Sequence, residues 1–165
     1  MLDVTALILE EHHTLRKRFA ALDDARGTEA LTVLWQELAV LLDAHAACEE
    51  EVFYPRLLKV GHDAEDEAED AIDDHDKIRD AVRGAEQHEV GSDPWWEAVG
   101  VARTENSKHI AEEEREALPD FRKSASEDER AQLAVAWTRW RTEHFPPHGV
   151  STEDKDAETY IRENS

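Results

Sequence analysis

Two short phrases in this 165-residue chain carry the same residue types at the same spacing. His45 is followed by Glu49 and then Pro55, and His109 is followed by Glu113 and Pro119 at a constant offset of 64 residues. A lone histidine stands ahead of each phrase: His12 lies 33 residues before His45, and His75 lies 34 before His109. Side chains four apart on a helix share a face, so each His–Glu pair can grip one site. His12 and His75 lie within apolar stripes and are expected to face the same interior. Four imidazoles and two carboxylates would then converge. Two buried carboxylates without a cation carry a desolvation cost on the order of several kcal/mol each, which a metal relieves. Imidazole with carboxylate suits iron, zinc or manganese better than magnesium or calcium. Six side chains also exceed what a tetrahedral zinc site takes. A pair of ions bridged by Glu49 and Glu113, with positions left open for dioxygen, peroxide or nitric oxide, accounts for the count.

The elements that must position these groups read as helices. Ile8, Leu15, Phe19 and Leu22 recur at three- and four-residue steps around His12, with Asp3 as N-cap and Arg26-Gly27 as the break. A second helix opens after Thr28 and carries Leu31, Leu34, Leu38, Leu42, His45, Glu49 and Val52. It is expected to end near Tyr54-Pro55, or a turn later if Pro55 only kinks it. A third runs from about Ala64 to about Gln87, with Ala71, Ile72, His75, Ile78 and Val82 on one side. Asp93 at the N-cap and Pro94 at the first helical position open a fourth, which reaches about Leu118-Pro119. Ser126 with Glu129 makes a capping box for a fifth, through Leu133, Trp137 and Trp140 to His144, ended by Pro146, Pro147 and Gly149. No strand alternation is visible. The expected fold class is all-α, an up-down-up-down antiparallel four-helix bundle with an extra short C-terminal helix. The domain spans 1–145, with its core bundle at about 3–121 and the fifth helix at about 126–144, and 146–165 read as a polar tail.

Composition narrows the function classes. Nineteen Lys+Arg against 40 Asp+Glu give a formal charge of −21. Such a surface repels phosphate, which argues against nucleic acid or an anionic membrane as partner, and it attracts cations. High charge with 40% hydrophobic residues is also compatible with disorder, but the helical periodicity argues otherwise. The single cysteine, Cys48, excludes an internal disulfide framework. Met1-Leu2-Asp3-Val4-Thr5 has no basic n-region, and the longest aliphatic run, Leu38 to Leu42, is far short of a membrane span. The expected compartment is the cytoplasm.

A lone His followed by His-x-x-x-Glu, given twice, resembles the hemerythrin-like, or HHE cation-binding, domain family. The likeness covers about residues 3–121 and includes the stretch Glu49-Glu50-Glu51-Val52-Phe53-Tyr54-Pro55. It implies a four-helix bundle around a non-haem centre of two iron ions with an oxo or hydroxo bridge. It also implies His12, His45, Glu49, His75, His109 and Glu113 as ligands, with both Glu bridging. Zinc and manganese rank behind iron. The second phrase departs from the oxygen-carrier hemerythrins, which have a second His where Glu113 stands. Five residues after His109, Glu114 reads as part of an ordinary acidic run rather than as the carriers' Asp. The resemblance thus points to a di-iron protein that binds or reacts with dioxygen, hydrogen peroxide or nitric oxide, with catalase-like peroxide removal among its activities. The alternative is a non-enzymatic iron- or oxygen-binding module for sensing or buffering.

Several residues carry a second reading. On an ideal helix Tyr54 sits about half a turn from the His45 face, but Pro55 disfavours α geometry there. Tyr54 is therefore either an extra ligand or a packing or hydrogen-bonding neighbour. Cys48 reads as a small core group. His13 reads as surface, and His62, His88, His144 and His148 read as loop residues. Glu105 and Asn106 either orient a ligand histidine or reach solvent. The five tryptophans read as packing residues.

Overall fold

The structure, a computed structural model, describes residues 2–145 and 151–165. Helix α1 (Val4–Asp24) starts as expected, with the Asp3 carboxylate accepting the Thr5 N–H at 2.9 Å. Gly27, at φ 87°, turns the chain into α2 (Thr28–Cys48), and Gly91, at φ 84°, does the same before the second long hairpin closes. That hairpin is α4 (Ala64–Glu86) and α5 (Asp93–Arg115). The N-cap of α5 is Ser92 rather than Asp93: the Ser92 hydroxyl accepts the Trp95 N–H, and Asp93 and Pro94 fill the first turn. Antiparallel α1, α2, α4 and α5 form the four-helix bundle.

The two prolines mark restarts rather than ends. Beyond α2 the chain widens into a π-helical turn, Glu49–Phe53, and continues as α3 (Tyr54–Val60). The Tyr54 N–H reaches back five residues to the Glu49 carbonyl, so the extra residue is absorbed just before Pro55, which has no N–H to donate. In the second half α5 breaks at Glu116 (φ −121°, ψ −76°) and α6 (Ala117–Ser124) begins, with Pro119 in its first turn. A missing N–H leaves no helical bond unmade there.

Helix α7 (Glu127–Glu143) opens with the expected Ser126–Glu129 capping box and packs along α1, α2 and the π turn. Pro146, Pro147, His148 and Gly149 lie outside the described residues. The polar-tail reading of 146–165 needs correction, because Ala157–Asn164 forms a further helix, α8, against α3 and α4. Asp156 caps it through the Thr159 N–H at 2.9 Å. Ala157, Tyr160 and Ile161 give it a single apolar turn, too little periodicity to stand out in a charged segment.

The apolar interior is split in two. One part gathers Ile8, Phe53, Leu57, Ile72, Phe121 and Trp137. The other gathers Leu15, Leu38, Leu42, Ile78, Trp95 and Ile110. His12 falls between Ile8 and Leu15, and His75 between Ile72 and Ile78, so a polar layer crosses the bundle at the boundary. The run Thr28–Val60 passes a membrane-span test by length and composition, but half of its most apolar window is buried in this interior.

Candidate metal centre

All six residues of the two phrases and their lone histidines meet in the polar layer. His12, His45, Glu49 and Glu113 form one group of donor atoms within 4.8 Å of one another, and Glu49, His75 and His109 form a second. Glu49 is common to both: its Oε1 lies 3.0 Å from His45 Nε2, and its Oε2 lies 3.2 Å from His75 Nε2 and 3.6 Å from His109 Nε2. Glu113 Oε2 lies 3.0 Å from His12 Nε2, whereas Glu113 Oε1 accepts the Tyr54 hydroxyl at 2.8 Å. Glu113 thus joins only the first group. Tyr54 is fully buried. The π turn supplies the rotation that an ideal helix would deny it.

His12 Nε2, His45 Nε2, both Glu49 oxygens and Glu113 Oε2 are buried with no hydrogen-bond partner among the described residues. Buried polar atoms are rarely left so. They are close in distance yet not aimed as hydrogen bonds, which is the arrangement of lone pairs around a common cation. Imidazole nitrogens and carboxylate oxygens in this number fit a pair of borderline divalent ions.

Each of three histidines is held from behind by a carboxylate. Glu114 Oε1 contacts His12 Nδ1 at 3.0 Å, Glu11 Oε2 contacts His45 Nδ1 at 3.0 Å, and Glu50 Oε1 contacts His75 Nδ1 at 2.8 Å. With Nδ1–H donating outward, the Nε2 lone pair is aimed at the centre. Glu114, read from sequence as part of an ordinary acidic run, therefore supports His12. Burial opposes charge on these rings, but the neighbouring carboxylates outweigh it: Glu113 and Glu49 raise His12 to about 9, Glu49 and Glu11 raise His45 to about 10, and Glu49 and Glu50 raise His75 to about 9. Glu49 is held well below the usual carboxylate range, where burial is overcome by His45, His109 and His12. The carboxylates demand positive charge, which protons on the imidazoles supply in the absence of metal.

Residues 3–144 match the family described as the Hemerythrin HHE cation binding domain. This chain belongs to that family. A hemerythrin-like protein of Schizosaccharomyces pombe, itself uncharacterised, is 24% identical over 148 residues, which are 89% of this chain and 72% of the relative. No solved structure matches.

The remaining residues of this HHE domain sort by burial. His13, His62 and His88 are exposed, while the His144 ring stacks on Trp140 with centroids 4.1 Å apart. Cys48 is fully buried, and burial pushes its thiol pKa up. Asn106 is buried beside His45, His75 and His109 in a small cavity of about 10 Å³. Two tryptophans do more than pack: Trp137 Nε1 donates to Glu11 at 3.1 Å and Trp140 Nε1 to Glu51 at 2.7 Å. The sequence reading missed Glu11, Glu50 and Glu114. Extending the 64-residue repeat by one position would have paired Glu50 with Glu114, and each supports the lone histidine of the opposite helix pair.

Proposed function

We propose that this HHE domain holds two iron ions between α1, α2, α4 and α5 and reacts with a small oxidant, with removal of hydrogen peroxide as the activity the site suits best. The observation that carries the reading is the set of unpartnered Nε2 and carboxylate atoms gathered in two groups around Glu49. His12, His45, Glu49 and Glu113 would hold one ion; Glu49, His75 and His109 would hold the other. Bound iron supplies reversible electron transfer.

The chain supplies binding, orientation and protons. Disproportionation oxidises one peroxide to dioxygen with release of two electrons and two protons, and reduces a second to water with uptake of the same number. Proton-holding groups beside the centre are therefore needed. Tyr54, on Glu113, is one. Glu67 is another: it lines a cavity of about 20 Å³ with Tyr54, Ala71, His109 and Glu113. Burial, with Asp120 and Asp63 nearby, raises its carboxyl to about 7. The cavity has room for about one water and touches both groups of donors, through Glu113 and through His109. The proposed compartment is the cytoplasm, where a lone buried thiol such as Cys48 stays reduced.

Metal analysis of the purified protein, read together with its absorption spectrum and gas evolution from added peroxide, tests the proposal. Two irons per chain with rapid gas release supports it; a metal-free chain after growth in iron-rich medium overturns it. A sensing role is the second reading, favoured by the link from α7 through Trp137 and Glu11 to His45. Two irons with a reversible spectral change and no turnover would select it.

A further inference from the structure

The repeat supports both halves of the centre in the same way up to a point. Behind His12 stand Glu114 and Arg16, whose Nη1 lies 2.8 Å from Glu114 Oε1. Behind His75 stand Glu50 and Arg79, whose Nη2 lies 2.8 Å from Glu50 Oε1. Each Arg follows its histidine by four residues. There the likeness ends. The Glu114 and Arg16 side chains are 30% and 44% exposed, whereas those of Glu50 and Arg79 are 0% and 1% exposed.

The difference is made by a segment beyond the family match. Lys155 Nζ pairs with the second oxygen, Oε2, of Glu50, and the Tyr160 hydroxyl donates to the Glu50 backbone carbonyl within the π turn. The Lys155 ammonium also lies 5.7 Å from the centroid of the Tyr160 ring. The segment is tied to α4 as well. The Lys155 N–H donates to Asp76 at 3.1 Å, and Arg83 donates to the Thr152 carbonyl at 3.0 Å and to Asp154 at 2.6 Å. Glu50 thus has no freedom left: His75 and Arg79 hold one oxygen, Lys155 the other, and Tyr160 its main chain.

We infer that the C-terminal segment 151–165 is a clamp on the His75 half of the centre, with Lys155 and Tyr160 as positioning residues that act through Glu50. It gives the His75 half of the centre a support that the His12 half, where Glu114 stays partly exposed, does not have. The inference rests on the di-iron reading above. A carboxylate fixed on both oxygens holds the imidazole ring it supports in one orientation, and loss of such support lowers metal affinity by about 10- to 100-fold. The ion held by Glu49, His75 and His109, which has three donors against four for the other, therefore leaves more slowly than it would without the clamp.

The test is iron release. Protein loaded anaerobically with two Fe(II) per chain is mixed with excess chromogenic Fe(II) chelator, and release is followed by absorbance. Wild type is expected to lose its ions in two phases. Lys155→Met keeps most of the alkyl stem and removes the charge. It should accelerate one phase by about tenfold or more and leave the other alone, with Lys155→Arg restoring the wild-type rate. Tyr160→Phe should act in the same direction as Lys155→Met. Two unchanged phases in both variants, or equal acceleration of both phases, overturns the clamp. If wild type itself takes up fewer than two ions, the di-iron reading fails first and takes the clamp with it.

Discussion

His75 and His109 are 34 residues apart in the chain, yet their Nε2 atoms lie 3.2 Å apart. The α4–α5 hairpin brings them together beside Glu49, so His75→Ala should lower bound metal by about one ion per chain while His62→Ala, at an exposed site, leaves it unchanged. Metal analysis of the two variants side by side checks this, and equal effects would dissolve the grouping. On the function proposed above, Tyr54 contributes through the proton it donates to Glu113 rather than through a bond to metal. Tyr54→Phe should keep the metal content and lower peroxide turnover, on the order of 100-fold if the phenol relays protons; steady-state gas evolution measures it. At this scale the convergence of the six residues was legible because the His–Glu spacing fits one helical face and repeats. Their supporting carboxylates were not. In runs such as Glu49-Glu50-Glu51, which acid turns inward is decided by the helix it meets, and that partner is remote in sequence.

Among the elements, the long helices, the Asp3 cap and the Ser126 capping box follow from periodicity and cap chemistry. The π turn does not, since a reading built on a regular period has no place for one extra residue; Pro55 was its only trace. The turn matters because it faces Tyr54 toward Glu113 while leaving Glu49 in line with His45. Helix α7 closes over the same region. Trp137 is almost fully buried and holds Glu11, whereas Val135, on the same helix, is 51% exposed. Trp137→Ala should therefore cost about 3–5 kcal/mol, and Val135→Ala about 0.5 kcal/mol or less, as read from urea unfolding. α8 escaped notice because its apolar residues, Ala157, Tyr160 and Ile161, make a single turn, and most of the polar ties of this segment lie ahead of the helix at Thr152, Asp154 and Lys155.

For the molecule as a whole, charge and metal decide stability together. His12, His45 and His75 titrate at about 9, 10 and 9 in the folded metal-free chain, against about 6.5 when unfolded. Groups raised in this way stabilise the fold fully below pH 6.5 and lose that contribution as pH rises through 9 to 10. Asp43 and Glu67 add to the slope: burial, reinforced in each case by neighbouring acids, holds them up at about 6 and about 7, so their ionisation also disfavours the fold as pH rises. The metal-free chain should therefore unfold at lower urea at pH 9 than at pH 6. With metal in place of the protons, the histidines are already neutral and their part of that decline should vanish. Parallel urea titrations of the two forms at both pH values decide it. The divided interior has a consequence of its own. Where the hydrophobic contacts are interrupted, the two ends of the bundle are joined largely across a layer of buried imidazoles and carboxylates. In the metal-free chain that layer is held by protons, and once pH rises past 9 to 10 and they are lost, amide hydrogen exchange should show the ends opening as separate cooperative units; with metal seated they should protect their amides as one.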